Sequence, residues 1–288
     1  MIGVTSMRQR RRHQLASITI ALTLGCLLAP ASLAFSPTAD DRVWQQFSDW
    51  LSTTPPTERS ASIFEQYRAH LLALGGSPAD AADQLAVIRQ KLRTSTDGWR
   101  ILFNAIYSSP TPRFNINPNA LPVSAVERRR PGRAFDVAMG QGRNAVFLAI
   151  KGWDVTGFDV ADEGLRIAQG NAERTGVKLT AVLQSDGDFD FGTARWDLIV
   201  ITYAPVPLTT ENYVKKLRNA LRSGGIVVIE SFASDSASLK RGLVDIDPSE
   251  LRRAFAGFRI VHFEDTFAIP DWGHVQTRVA RLVAEKAD

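Results

Sequence analysis

Two patterns of apolar and polar residues divide the chain. Between residues 41 and 107 the apolar side chains recur every three or four positions, as they do along one face of an α-helix. This spacing predicts helices over 41–51 and 58–74, a third that begins at Ser77, and a fourth over 99–107. The first part of the chain is therefore predicted to be α-helical.

From residue 134 onward, short apolar runs alternate with helical stretches. The runs predict strands over 134–139, 153–160, 177–184, 197–202, 225–230, 258–263 and 277–284. Helices are predicted over 143–151, 163–175, 211–221 and 248–255. The segment 108–122, which is rich in proline and asparagine, is predicted to be a loop between the two parts.

The order of these elements predicts an α/β fold. Strands that alternate with helices form a doubly wound parallel sheet, which is covered by helices on both faces. The last two predicted strands have no helix between them, so we expect them to pair antiparallel. Residues 35–111 are predicted to form an N-terminal helical cap on a domain at 112–288, and an independent binding module is the alternative.

Charge is unevenly distributed along the chain. The protein has 288 residues, 44% hydrophobic and 22% charged, which is ordinary for a soluble globular protein. Its 34 basic and 30 acidic residues give a formal net charge of +4. Four of the arginines lie within residues 1–34, which contain no acidic residue, so the remaining chain is formally neutral. This balance gives no indication of a nucleic-acid partner.

The first 34 residues have the features of a secretory signal peptide. A basic stretch over 8–12 precedes an apolar run over 15–28, and small residues at Ser32 and Ala34 favour cleavage before Phe35. We expect a periplasmic or extracellular protein. A membrane tether through an uncleaved leader and a cytoplasmic protein with a nonfunctional leader are the alternatives.

Metal and disulfide chemistry is not expected. Cys26, the only cysteine, lies within the leader, where lipidation is a further alternative, so the processed chain would have none. The four histidines, His13, His70, His262 and His274, are too far apart in the sequence to indicate a metal site.

A glycine-rich turn follows the first predicted strand. Gly140 and Gly142, followed by Ala145, lie between a strand and a helix, where a backbone without Cβ atoms can turn sharply and approach a ligand. The same spacing also satisfies the dinucleotide-binding fingerprint, so this turn alone leaves a nicotinamide-dependent oxidoreductase open.

Three aspartates add to this turn. Asp136 lies in the first strand, where it can hold the turn and approach a cationic cofactor. Asp159 ends the second strand, where a carboxylate can accept hydrogen bonds from both hydroxyls of a ribose. Asp186 follows the third strand, where it can accept a hydrogen bond from an adenine amino group. Three carboxylates at the ligand edge of a sheet suit a cofactor that has a sulfonium cation and no phosphate.

Through the glycine turn and these three aspartates, the segment from about 112 to 286 resembles the class I S-adenosylmethionine-dependent methyltransferases. The resemblance implies a Rossmann-like sheet of order 3-2-1-4-5-7-6 whose last strand is antiparallel. It also implies that Asp136, Gly140 and Gly142 form the glycine loop, that Asp159 holds the ribose, and that Asp186 and Gly187 border the adenine. Residues 221–225 are similar to the family's turn into the fifth strand. One departure is Ala138, where the family more often has glycine.

Residues 140–145 are more narrowly similar to a small-molecule branch that includes tellurite-resistance and thiol methyltransferases. The resemblance adds Gln141 and Asn144 to the cofactor site. It implies that the segment 114–119 lies over the cofactor pocket. The substrate candidates are Asn115, Asn119, Tyr203 and His274, and Glu230 and Asp271 are further candidates for a general base.

The expected function is methyl transfer from S-adenosylmethionine to an unidentified small-molecule acceptor. The oxidoreductase named above and a non-catalytic exported binding protein on a methyltransferase scaffold are the alternatives. The second alternative arises because S-adenosylmethionine is a cytosolic metabolite, whereas the leader predicts export.

Overall fold

The computed structural model describes residues 36–53, 63–108, 115–233, 245–270 and 276–287. The chain from Pro37 to Asp288 forms one compact unit. The predicted leader and cleavage site, Phe114, Asp271 and His274 lie outside the described residues. Within the described part of the chain, no helix is both long and apolar enough to cross a membrane.

Seven strands form one mixed sheet. They are β1 (Arg133–Val137), β2 (Asp154–Asp159), β3 (Thr180–Leu183), β4 (Trp196–Thr202), β5 (Leu221–Phe232), β6 (Arg259–Ala268) and β7 (Thr277–Glu285). Their order is β3-β2-β1-β4-β5-β7-β6, and β7 runs antiparallel to both of its neighbours. The predicted α/β class, the strand order and the antiparallel last strand are confirmed.

The helices of the described residues fall into two groups. The first comprises α1 (Ala39–Thr53), α2 (Ile63–Ala73), α3 (Pro78–Thr94) and α4 (Thr96–Tyr107). The second comprises α5 (Ala120–Val126), α6 (Arg143–Ile150), α7 (Asp162–Thr175), α8 (Glu211–Ala220) and α9 (Pro248–Ala254). Helix α3 starts as expected, because the hydroxyl of Ser77 accepts from the backbone N–H of Asp80.

Several boundaries differ from the predictions: β3 starts at Thr180 rather than 177, β6 extends to Ala268 rather than 263, and two further differences have a clear cause. The loop predicted over 108–122 is wrong at its end, because α5 starts at Ala120, where the side chain of Asn119 accepts from the backbone N–H of Leu121. Strand β5 starts at Leu221 rather than 225, because Leu221 pairs with Trp196 and Gly225 pairs with Lys286.

Each face of the sheet buries its own apolar cluster. One cluster joins the sheet to α8 and α9 through residues such as Ile199, Leu217 and Leu251. The other joins it to α5, α6 and α7 through residues such as Leu148 and Leu165. Because the central strands are buried on both sides, polar side chains can reach a ligand only at the strand ends.

Helices α1 to α4 share a separate apolar cluster that includes Phe47, Tyr67, Ile88 and Leu92. Helix α4 also contacts α7 in the α/β part of the chain. This contact brings the end of α4 to the carboxyl edge of the sheet, where the candidate site lies.

Candidate functional site

A cavity of about 320 Å³ lies between α4 and the carboxyl ends of the strands. Asp159, Asp186 and Gly187 line it from the sheet side, together with Tyr203. Trp99, Phe103 and Tyr107 line it from the α4 side. A smaller cavity of about 40 Å³ lies beside it and is lined by residues that include Asp136, Gln141, Arg143 and Asn144. Tyr107 lines both cavities.

The glycine turn has the backbone conformation that its sequence predicts. Gly140 and Gly142 have positive φ angles, +53° and +76°. A Cβ atom at Gly142 would lie 2.8 Å from the Cβ of Ala168, so the turn packs directly on α7. Ala138, where the family more often has glycine, also has a positive φ, 53°. This residue therefore holds a conformation that costs a non-glycine residue about 1–2 kcal/mol.

Asp136 is a buried carboxylate with an incomplete set of hydrogen bonds. Its side chain is 2% exposed, and its Oδ2 has no hydrogen-bond partner among the described residues. Burial raises the pKa of Asp136 to about 7, and the charge of Arg143 opposes this shift. Because this buried oxygen lies beside the glycine turn without a partner, it suits a ligand whose positively charged group can donate a hydrogen bond to it.

Asp159 connects the glycine turn to the start of α7. Its Oδ2 accepts from the backbone N–H of Gly140 and its Oδ1 from that of Ala161, both at 2.8 Å. Burial raises the pKa of Asp159, while these N–H groups oppose the shift. Each carboxylate oxygen has a second lone pair, so Asp159 can also accept from ribose hydroxyls in the larger cavity.

Asp186 is held in place by α8. Its Oδ1 accepts from the hydroxyl of Tyr213 at 2.6 Å, and its carbonyl oxygen accepts from Nζ of Lys216 at 2.8 Å. Burial raises the pKa of Asp186, and both neighbours oppose that shift. Asp186 and Gly187 therefore lie on the cavity wall at the end of β3, as the sequence predicts.

Gln141 and Asn144 attach the segment before α5 to the glycine turn. Nε2 of Gln141 donates to the carbonyl of Asn115 at 3.1 Å, and Oδ1 of Asn144 accepts from the backbone N–H of Asn119 at 2.8 Å. The Nδ2 of Asn144 donates to Oγ1 of Thr202. The described part of the segment predicted to cover the pocket therefore packs against the turn beside the smaller cavity.

The substrate candidates have different surroundings. Asn119 is fully buried and bonds within the protein, because its Nδ2 donates to Oε1 of Glu230 at 3.0 Å while its Oδ1 caps α5. Asn115 is half-buried, and its Oδ1 accepts from the backbone N–H of Asn117. Tyr203 lines the larger cavity and donates its hydroxyl to Glu230. Of these three, Tyr203 is the one in the wall of the larger cavity.

Glu230, a candidate base, is part of a buried ion pair. Its Oε2 accepts from Nε of Arg281 at 2.7 Å, and its Oε1 accepts from Asn119 and Tyr203. A carboxylate surrounded by three donors is well placed to hold its neighbours in position. Its contact with Tyr203 connects this pair to the cavity wall.

Sequence reasoning missed the contribution of α4. Trp99, Phe103 and Tyr107 recur at four-residue spacing on one face of α4, and neighbouring rings in this row stack with centroids 5.7 and 6.1 Å apart. That spacing was visible in the sequence, although it is also typical of core packing. Arg143, which faces Asp136, was missed as well because it carries no signal beyond its place after the glycine turn.

Known proteins are similar to this chain in sequence and in fold. The model of a family described as a methyltransferase domain matches residues 134–225, from β1 into β5. A curated relative, hemagglutinin 1 of Eikenella corrodens, is 26% identical over 169 residues, which cover 55% of this chain and 54% of the relative. The chain thus spans about half the length of that relative.

Several solved structures share the fold. TehB of Haemophilus influenzae matches 57% of this chain and 61% of its own, with a TM-score of 0.50 and 19% identity. A SAM-dependent methyltransferase of Methanosarcina mazei matches 59% of this chain and 99% of its own, with a TM-score of 0.50 and 16% identity. The [4+2]-cyclase SpnF matches 70% and 96%, with a TM-score of 0.51 and 18% identity. At these identities the likeness extends to the fold alone.

Proposed function

We propose that this chain, whose α/β part has the class I methyltransferase fold and contains a methyltransferase domain, transfers a methyl group from S-adenosylmethionine to a small molecule. The observation that carries the proposal is the row of carboxylates along one sheet edge, with an unpaired Oδ2 on buried Asp136. SpnF, a cyclase, shares the fold, so the fold alone does not determine the chemistry. The match to the methyltransferase domain family supports methyl transfer over other reactions.

Each carboxylate has a distinct part in this proposal. Asp159 accepts the ribose hydroxyls, Asp186 and Gly187 border the adenine, and Asp136 faces the cationic amino-acid end of the cofactor. Gly140 and Gly142 allow the tight turn that places this loop beside that end of the cofactor. The bound cofactor supplies a methyl group already activated by its sulfonium.

The smaller cavity is a poor site for a pyrophosphate. Dinucleotides place their phosphates at the glycine turn, against the N-terminus of the following helix. Here the turn is beside Asp136, whose carboxylate would repel a phosphate once ionised. With Arg143 in the same cavity, the two opposite charges suit the zwitterionic amino-acid end of S-adenosylmethionine better than a pyrophosphate.

The protein's contribution to the reaction is alignment and exclusion of water. Helix α4 forms one wall of the larger cavity, and in this proposal that wall shields the reacting atoms from water. Holding the acceptor in line with the methyl group can lower the barrier by roughly 7–11 kcal/mol in favourable cases. An acceptor such as a thiolate needs no base, whereas a hydroxyl acceptor would give its proton to the hydroxyl oxygen of Tyr203 as that hydroxyl gives its own proton to Glu230.

The binding part of the proposal is tested by calorimetry with S-adenosylmethionine and S-adenosylhomocysteine. We expect Asp159→Ala to weaken both affinities at least about tenfold, because a charge-assisted hydrogen bond contributes about 1.5–3 kcal/mol. Asp154→Ala is the matched control, since Asp154 starts the strand that Asp159 ends and is exposed there. Wild-type affinity in Asp159→Ala would remove the ribose role from this residue.

The catalytic part needs a separate assay. Cofactor labelled on its methyl group is incubated with a panel of thiols, amines and carboxylic acids, and labelled product is measured. Transfer to one class of acceptor supports the enzyme. Tight cofactor binding without transfer to any acceptor would instead favour a non-catalytic binding protein.

A further inference from the structure

The side chain of Asn104 bonds the end of α4 to the start of α7. Helix α7 follows Ala161, which has no side-chain oxygen to cap it. Asn104 of α4 takes that place, because its Oδ1 accepts from the backbone N–H of Glu163 at 3.1 Å. Its Nδ2 donates to Oδ1 of Asp162 at 2.6 Å. The position of α4 relative to the cofactor edge is therefore set by paired hydrogen bonds.

Tyr107, three residues further along α4, occupies a notch formed by two glycines. A Cβ atom at Gly140 would overlap the hydroxyl of Tyr107, and one at Gly164 would lie 2.9 Å from its Cε2. Gly164 lies in the first turn of α7, although glycine has a lower helix propensity than alanine. The space that both glycines leave is filled by the Tyr107 ring.

The notch lies between the two cavities. Tyr107 shares the larger cavity with Asp159 and Asp186, and the smaller one with Asp136 and Gln141. Burial and the nearby charge of Asp159 raise the pKa of Tyr107 well above its usual value, so its hydroxyl stays protonated at neutral pH. Ala138 and Thr202 line both cavities as well, so a ligand with one end in each cavity would lie beside these two residues and Tyr107.

We propose that Tyr107 is a cofactor-contacting residue, whose hydroxyl hydrogen-bonds S-adenosylmethionine where the nucleoside half joins the amino-acid half. The proposal rests on the proposed function. It makes the N-terminal helical segment a part of the cofactor site. The α/β part then supplies one wall of that site and α4 the other.

The test compares Tyr107→Phe with wild type in calorimetry with S-adenosylhomocysteine and with adenosine. Phenylalanine keeps the ring in the notch, so the fold is expected to be retained. We expect the affinity for S-adenosylhomocysteine to fall about fivefold, the effect of one hydrogen bond. Adenosine, which lacks the amino-acid half, should lose less than about twofold.

Tyr67→Phe is the matched control, because Tyr67 is a buried tyrosine of the same helical segment that belongs to its apolar core. It should leave both affinities unchanged. Unchanged binding of S-adenosylhomocysteine to Tyr107→Phe, or an equal loss for both ligands, would overturn the assignment of Tyr107. If wild-type protein failed to bind S-adenosylhomocysteine, the proposed function would fall as well. If Asp159→Ala lost affinity for this ligand and Tyr107→Phe did not, only the inference about Tyr107 would be overturned.

Discussion

Asp136 is costly to bury while it has no ligand. With a folded pKa of about 7, it keeps its proton at pH values where the unfolded chain, with a pKa near 3.8, has lost it. Below pH 3.8 both states are protonated and the group has no effect on stability. As the pH rises from 3.8 to about 7, ionisation of this group lowers the free energy of unfolding. Above about 7 the group lowers it no further. The residue thus favours a ligand that neutralises its charge.

A cationic ligand beside Asp136 should therefore displace a proton. Binding of S-adenosylmethionine favours the ionised carboxylate and lowers its pKa, so we expect the affinity to rise with pH up to about 7, by at most about tenfold per pH unit. Calorimetry at pH 6.5 in two buffers of different ionisation enthalpy measures the proton released. Asp136→Asn should abolish the release, whereas Asp154→Asn should not. An affinity that is constant from pH 6 to 8 would contradict this prediction.

The sequence located these aspartates because each is next to a strand whose apolar pattern is unmistakable. Asp136 lies in β1, Asp159 ends β2, and Asp186 follows β3, as predicted. The site residues that were missed depend on contacts between distant parts of the chain. Tyr107 meets glycines at 140 and 164, and no local pattern indicates which surface a helical tyrosine will contact.

At the scale of elements, the predictions failed where two local signals compete. Residues 118–122 contain two prolines, which indicate a loop, yet Pro122 falls in the first turn of α5, where its missing N–H costs nothing. The glycines after Leu221 suggested a turn before β5. Pairing with β4 and β7 keeps this stretch in the strand, a tertiary effect that propensity does not contain.

Helix α7 allows a direct test of the glycine notch. Gly164→Ala would place a Cβ against the Tyr107 ring, whereas Gly170→Ala, in the same helix, would meet only the flexible end of Arg174 at 3.4 Å. We expect Gly170→Ala to stabilise the protein by up to about 1 kcal/mol. We expect Gly164→Ala to show no such stabilisation and to bind S-adenosylhomocysteine more weakly than wild type.

Urea unfolding and calorimetry on the two variants give both quantities. Both substitutions are glycine to alanine in α7, and they differ most in what the new Cβ meets: the Tyr107 ring at 164 and only the end of Arg174 at 170. Equal stabilisation and equal affinity in both would show that Tyr107 moves aside without cost, and that the notch has no effect on the ligand.

At the scale of the whole molecule, charge distinguishes the predicted leader, residues 1–34, from the rest of the sequence. The compact unit begins at Pro37, two residues after the predicted cleavage site. Removing residues 1–34 would remove four arginines and change the formal net charge from +4 to zero. Export would also separate the protein from the cytosolic supply of S-adenosylmethionine, so the location of the chain bears directly on the proposed activity.

We predict that the protein isolated from its native cell begins at Phe35 and is found outside the cytoplasm. N-terminal sequencing and cell fractionation measure this, and isoelectric focusing should show a processed chain that is less basic than the full-length one. Ala34→Arg is the control, because cleavage requires a small residue at that position, and this variant should keep its leader. A chain that starts at Met1 in the cytosolic fraction would contradict export and would remove the difficulty of cofactor supply. A processed chain that still binds S-adenosylmethionine in calorimetry would instead show that residues 35–288 suffice for the site. Activity would then require a source of cofactor outside the cytoplasm.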